Sequence, residues 1–255
     1  MTGTGPDPAF LAVRGMTKRF GGLTAVNDAT LDVAEGSITG LIGPNGAGKT
    51  TLFAVIAGFE KPTAGLVLLE GEDITGRRPH DLARMGLART FQIVQPFAGL
   101  SVRENIAVGA FLREAKRSAA LEVAEEVATR VGLADQLDKP AAALTVAGRK
   151  RLEVARALAT RPKLLLLDEV LAGLNPSEVR DIVPVVRAIR DAGVTVLMIE
   201  HVMQAVMNLC DRVHVLAQGR IIRSGTPAEV VAAPEVVEAY LGHGAAARLR
   251  SGSDA

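Results

Sequence analysis

At 255 residues the chain is long enough to bury a sizeable core, as one domain or two closely joined ones. Its single cysteine, Cys210, excludes an internal disulfide and fits a reducing compartment. With 29 Lys and Arg against 28 Asp and Glu, no tryptophan and only 3% aromatic residues, it lacks the basic, stacking surface of a nucleic-acid binder.

The first eight residues and the last dozen, Gly244 to Ala255, are rich in small and polar residues and are expected to be mobile tails. Met1 to Pro8 has neither a basic n-region nor an apolar h-region, which predicts no secretory leader. Between Phe10 and Val33 alternating runs predict strands, with Gly21-Gly22 as the turn between two of them. Ser37 to Ile42 is a short, largely apolar run that suits a buried strand. Thr51 to Ala57 reads as a helix, and Gly58 stands where a C′ glycine would stop it.

From about residue 93 to 150 the pattern turns helical, and Ser101-Val-Arg-Glu104 is a capping box that opens a helix. Lys163 to Leu167 and Val194 to Ile199 are apolar runs of strand length, separated by a helical segment from Pro176 to Asp191. Strands alternating with helices imply a mostly parallel sheet. A hairpin follows, Val213–Leu216 and Arg220–Ile222, turning through Gln218-Gly219, and Thr226-Pro-Ala-Glu229 caps a last helix. No apolar run approaches the roughly 18 residues of a membrane-spanning helix.

Gly43-Pro-Asn-Gly-Ala-Gly-Lys-Thr50 matches the phosphate-binding pattern G-x-x-x-x-G-K-[ST] without a gap. A strand, a glycine-rich turn and a helix start surround one concave spot with backbone N–H groups, and the positive end of the helix dipole points at the same spot. The predicted phosphate-binding residues are Gly43, Pro44, Asn45, Gly46, Ala47, Gly48, Lys49, Thr50 and Thr51. Within that set Asn45 serves the turn, Lys49 reaches the β- and γ-phosphates, and the Thr50 hydroxyl ligates Mg²⁺. The chain is thereby expected to bind a nucleoside triphosphate. Downstream, Leu164-Leu-Leu-Leu-Asp168-Glu169 is an apolar strand that ends in two adjacent carboxylates. The first can fix Mg²⁺ through water, and the second can polarise a water that attacks the γ-phosphate, so hydrolysis is expected as well as binding.

The order of phosphate loop, Gln92, a signature segment near Leu144, Asp168-Glu169 and His201 resembles the ATP-binding subunit of ABC transporters, from Phe10 to about Gly242. Lys18 to Asn27, Ala88 to Gln92, Ile199-Glu-His201 and Ala239 to Gly242 are similar to the ATPase subunits of branched-chain amino-acid importers. The resemblance implies an α/β fold: a P-loop NTPase, RecA-like core with a mostly parallel sheet, an N-terminal antiparallel β subdomain and a helical subdomain inserted at about 93–155. It implies one cassette over residues 1–243, followed by a flexible tail.

By the same resemblance Phe20 stacks on adenine, and Gln92 touches Mg²⁺ or the lytic water. His201 hydrogen-bonds the γ-phosphate, Glu169 is the catalytic base with Lys49, Gln92 and His201 assisting, and Thr50, Gln92 and Asp168 serve Mg²⁺. The implied partners are a second ATPase subunit, identical or paralogous, integral-membrane permease subunits, and indirectly a periplasmic solute-binding protein, with no nucleic acid. The implied place is peripheral, on the cytoplasmic face of the inner membrane. Phe97, Leu100 and Val102 are candidate permease contacts or an internal core of the helical lobe. The rival readings are the ATPase of a lipopolysaccharide-extracting exporter and a soluble ATP-driven regulatory protein.

Two segments depart from the family pattern. The signature, usually Leu-Ser-Gly-Gly-Gln, reads Leu144-Thr-Val-Ala-Gly148 and is followed by Arg149-Lys-Arg151. It is expected to open a helix over Arg149 to Thr160 with Leu152, Ala155, Leu158 and Ala159 on its apolar face. Thr145 keeps a hydroxyl, Ala147 keeps an N–H and Gly148 loses the glutamine side chain. Thr145, Ala147 and Gly148 are predicted to meet the γ-phosphate held by the opposite subunit, in a working but weaker composite site. Three cations at a helix start oppose the dipole, and a bound anion would relieve them. The second departure is Asn175, in place of the usual aspartate, which either caps the next helix or makes a cross-subunit contact.

Overall fold

The computed structural model describes residues 9–92 and 95–241; the predicted tails and Gly242 lie outside the described residues. The chain forms two compact units, one of Met1–Arg78 with Val206–Ala255 and the other of Pro79–Ala205. In chain order the first unit contributes β1 (Leu11–Phe20), β2 (Leu23–Val33), β3 (Ile38–Ile42), α1 (Lys49–Ile56), β4 (Ala64–Leu69) and β5 (Glu72–Asp73). The second contributes α2 (Pro79–Met85), β6 (Leu87–Arg89), α3 (Val102–Ala110), α4 (Arg117–Arg130), α5 (Val146–Leu158), β7 (Leu164–Asp168), α6 (Pro176–Asp191) and β8 (Thr195–Ile199). After α7 (Met203–Leu209), the first unit resumes with β9 (Arg212–Ala217), β10 (Arg220–Gly225), α8 (Pro227–Val231) and α9 (Pro234–Leu241).

In the first unit, β1 lies between β2 and β4 in an antiparallel sheet of order β2-β1-β4-β5. Leu11 pairs with Val33 on one side and Leu69 on the other, and Val13 pairs with Leu31 and Val67, which stacks apolar cross-strand pairs on one face. Ala29, Leu31 and Val33 are buried while Thr30 and Asp32 are exposed, the period of two that a half-buried strand requires. β3 is buried at every position and runs parallel to β9. β9 and β10 form the predicted hairpin, whose turn residues Gln218 and Gly219 both take positive φ, 49° and 77°.

In the second unit β6, β7 and β8 are all parallel, with β7 in the middle. Leu164 to Asp168 and Thr195 to Ile199 are buried throughout, as strands covered on both faces must be. The expected mostly parallel sheet is found here, and the capping box at Ser101 opens α3 as predicted. Val102 is fully buried, so it belongs to the lobe's interior and not to a docking surface; Phe97 is 46% exposed.

The helices differ from expectation in three places; the first is α1, which spans Lys49–Ile56 and not Thr51–Ala57. α5 starts at Val146 and not at Arg149, because Thr145 acts as N-cap and its Oγ1 accepts the Gly148 N–H at 3.1 Å. It ends at Leu158, short of Thr160. α8, capped by the Thr226–Glu229 box, is not the last helix; α9 follows, with Pro234 as its first residue.

Candidate functional site

The phosphate loop joins β3 to α1 through three glycines with positive φ: Gly43 at 150°, Gly46 at 77° and Gly48 at 104°. The first and third sit against backbone. A Cβ on Gly43 would lie 2.0 Å from the Leu216 carbonyl oxygen, and one on Gly48 would lie 2.2 Å from that of Ala25. Gly46 has nothing within that reach, so the loop is packed at both ends and open in the middle. Ala47 is tied on both sides of its peptide, its N–H donating to Pro44 and its carbonyl accepting from Gly219.

Gly48 is the N-cap of α1 and supplies no side chain to the first-turn N–H groups; the first turn holds no acid either. The donors left over at that helix start, and the dipole behind them, suit an anion. Lys49 is 8% exposed and donates to the Gly43 and Pro44 carbonyls at 2.7 and 3.0 Å. Thr50, Asn45 and Gly46 are exposed, and Thr51 is half-buried. Phe20 ends β1 with 44% of its surface exposed, and Lys18 Nζ stands 4.6 Å from its ring centroid. That ammonium also pairs with Glu60 at 2.8 Å, so one ring face is backed by a held cation.

The second unit holds the acidic residues. Arg89, at the end of β6, meets Asp168, at the end of β7, with Nη2 2.8 Å from Oδ2. Thr90 Oγ1 accepts the Asp168 N–H at 3.0 Å. Asp168 Oδ1 is buried and has no hydrogen-bond partner among the described residues. Glu169 follows with φ 49°, a conformation uncommon for a side chain other than glycine. Its carboxylate Oε2 accepts from Gln92 Nε2 at 2.5 Å. Gln92, Asp168 and Glu169 are therefore brought together. His201 follows β8 and is exposed.

At the signature, the Thr145 hydroxyl is engaged by Gly148 within its own helix start. Ala147 is half-buried and Gly148 buried. The three cations are held by carbonyls: Arg149 Nε donates to Leu144, Lys150 Nζ to Gln92 and Glu169, and Arg151 Nη1 to Val131 and Gly132. Those carbonyls compensate the three cations within the chain, where a bound anion is the expected relief. Leu152, Ala155, Leu158 and Ala159 are buried, as the apolar face predicts. Asn175 caps α6, its Oδ1 accepting the Ser177 and Glu178 N–H groups at 2.9 and 3.0 Å.

Four further residues lie in segments quoted above but were given no role there. Arg89 and Lys150 read as ordinary cations until the fold buries them. Glu200 is 1% exposed; burial, together with the nearby Glu169 charge, pushes its carboxyl up to about 7, and its Oε1 accepts the Leu171 N–H at 2.9 Å. Burial raises the phenol of Tyr240, on α9, against the opposing effect of the Gly43 N–H. Arg89, Glu200 and Tyr240 stand in segments that carry the resemblance, Ala88–Gln92, Ile199-Glu-His201 and Ala239–Gly242, yet spacing alone gives none of them a role.

A family model described as "ABC transporter" matches residues 26–172, and one described as "Branched-chain amino acid ATP-binding cassette transporter" matches residues 220–246. The high-affinity branched-chain amino acid transport ATP-binding protein LivG of Salmonella typhimurium is 41% identical over 249 residues, covering 91% of this chain and 98% of its own. BraF of Pseudomonas aeruginosa, with the same description, is 42% identical over the same shares. A crystal structure of a nucleotide-free ATP-binding cassette from an ABC transporter superposes with a TM-score of 0.86 at 34% identity, over 92% of this chain and all of that one. With the expected α/β phosphate-loop fold in place and likeness running along nearly the whole chain, this protein belongs to the ABC transporter family as an ATP-binding cassette.

Proposed function

We propose that the chain is the ATP-hydrolysing subunit of an ABC importer for branched-chain or related amino acids. The observation that carries this is the likeness to LivG and BraF over 91% of the chain with an unbroken phosphate loop inside it. That likeness favours an importer over a lipopolysaccharide-extracting exporter. The family's architecture supports a cassette over residues 1–243 with helices inserted at about 93–155 and a tail beyond. It also supports two ATPase subunits acting on membrane-embedded permeases, with a solute-binding protein upstream. Among the described residues no helix is long and apolar enough to cross a membrane.

In the proposed reaction the loop amides of Gly46 to Thr50 hold the β- and γ-phosphates, and Lys49 turns from the Gly43 and Pro44 carbonyls to the phosphate oxygens. Glu169 takes a proton from a water whose oxygen attacks the γ-phosphorus; the bond to the bridging oxygen breaks, leaving ADP and phosphate. Gln92 aims the Glu169 carboxylate, His201 contacts the γ-phosphate, and Phe20 stacks on adenine. Thr145, Ala147 and Gly148 would face the nucleotide of the second subunit.

Mg²⁺ fits the donors present. Asp168 keeps a buried carboxylate oxygen without a partner among the described residues, a hard donor of the kind Mg²⁺ takes. A hard ion that keeps its waters and takes phosphate oxygens needs no more than that. Bound with ATP, it would neutralise charge that develops on the phosphates.

Replacing Glu169 with Gln tests the reading. The variant is expected to bind MgATP yet hydrolyse it roughly tenfold or more slowly, and near-normal turnover would overturn the role of Glu169. Purification from membranes through a tag on this chain, with identification of each co-purifying subunit and a transport assay with leucine, isoleucine and valine, tests the importer assignment.

A further inference from the structure

Lys150 lies in the second turn of α5, 7% exposed, although lysine is among the residues least often buried. Burial depresses its ammonium below the ordinary lysine value, while Glu200, Glu169, Asp168 and Glu153 favour the charged form. A cation whose only task was to neutralise those acids would close on one of their carboxylates. Its donors go elsewhere, to the main-chain carbonyls of Gln92 at 3.1 Å and Glu169 at 3.0 Å.

Those two residues also meet through their side chains, Gln92 Nε2 to Glu169 Oε2 at 2.5 Å. The contacts therefore form a closed ring: ammonium, Gln92 main chain, Gln92 amide, Glu169 carboxylate, Glu169 main chain, and back to the ammonium. Glu169 needs such a tie, since its φ of 49° is one that surrounding structure must impose. Its N–H is fixed by the Ile199 carbonyl at 3.0 Å, and its carbonyl is fixed by Lys150.

We propose that Lys150 is a positioning residue for ATP hydrolysis: it binds the main chains of Gln92 and Glu169 to α5 and so sets the aim of the Glu169 carboxylate. The proposal rests on the reading of Glu169 as the base. It assigns to α5 a direct hold on the catalytic base of its own chain, separate from any contact that its N-terminus makes with a second subunit.

The test uses the complex purified from membranes through a tag on this chain, with kcat and KM for MgATP measured on the wild type, Glu169→Gln, Lys150→Met, Lys150→Arg, Gln92→Ala and the Lys150→Met/Gln92→Ala double variant. Lys150→Met keeps length and removes the donors; it is expected to lower kcat about tenfold or more, with KM within about twofold. Lys150→Arg, which can still donate to two carbonyls, is expected to recover to within about threefold of wild type.

The double variant is expected to be no slower than the slower single by more than about twofold, since both changes break one ring. Wild-type kcat in Lys150→Met, a loss confined to KM, or multiplied losses in the double variant would overturn the proposal. Should Lys150→Met fail to assemble, Lys150→Gln carries the same test, with a lowered kcat expected and wild-type kcat overturning. Normal turnover in Glu169→Gln would sink the reading of the base instead, whatever Lys150→Met does.

Discussion

Arg89 grips one oxygen of Asp168 at 2.8 Å, and the other oxygen of the same carboxylate has no hydrogen-bond partner among the described residues. Both side chains are nearly sealed from solvent, at 7% and 2% exposure. A buried pair of this kind costs desolvation to form, and removing one member costs more, because the other charge stays behind in a poor dielectric. The half-used carboxylate is thus pinned in place by Arg89, and its other oxygen is a buried acceptor with no partner among the described residues.

Asp168→Ala is accordingly expected to destabilise the fold by about 3 kcal/mol or more, because it takes away the buried carboxylate that balances Arg89. Asp168→Asn retains an oxygen for the Nη2 donor and should lose distinctly less. Urea midpoints of the two variants against wild type check the order. Equal, small losses would mean that the pair contributes nothing to stability.

The phosphate loop makes a sharper prediction, because its glycines are not equivalent. Alanine at Gly43 or Gly48 would drive a methyl to 2.0 or 2.2 Å of a backbone oxygen, which cannot yield as a flexible side chain would. Alanine at Gly46 meets nothing and suffers only its φ of 77°. Gly46→Ala is therefore expected to cost about 1 kcal/mol, and Gly43→Ala and Gly48→Ala several times that. Thermal melts of the three variants decide it, and equal costs would refute the packing argument.

What could be read from the sequence was what short-range chemistry writes. Gly-x-x-x-x-Gly-Lys-Thr, the Gln218-Gly219 turn and the boxes at Ser101 and Thr226 each act within a few residues, and each is found where it was expected. The start of α5 was misread because Thr145 caps without a Glu or Gln three residues on; Gly148 stands there, so the box was invisible and only the cap existed. The Arg89–Asp168 pair spans 79 residues and the Lys150–Gln92 bond spans 58. Neither has a local signature, since the packing of elements distant in the chain, and not spacing, brings the partners together. Lys150 was hidden by its residue type: a lysine in a basic run reads as solvated.

Asn175 provides a direct test of capping against inter-subunit contact. Its side chain accepts two first-turn N–H groups, and the Glu178 carboxylate accepts the Asn175 N–H at 2.9 Å. Capping alone predicts that Asn175→Ala costs about 1 kcal/mol of stability while Asn175→Asp, an equally good cap, costs almost nothing. If ATPase turnover of the assembled transporter also changes in Asn175→Asp, with the melting temperature unmoved, the residue has a second task across the subunit boundary.

Glu200 predicts how stability depends on pH. Leu171 donates its N–H to the carboxyl and the His201 N–H lies beside it, while Glu169 and Lys150 act on it with opposite signs. Burial outweighs the donors and lifts the pKa from 4.5 to about 7. The native state therefore holds a proton that the unfolded chain has lost between those values. Where the native state binds more protons, stability falls as pH rises. The loss should begin near 4.5 and be complete just above 7, with a size of about 3 kcal/mol. Glu200→Gln keeps an acceptor for Leu171 and cannot ionise, so its urea-unfolding free energy should lie above wild type at pH 8 and converge with it near pH 4.5. Parallel curves across that window would show that Glu200 ionises as freely in the fold as it does in the open chain.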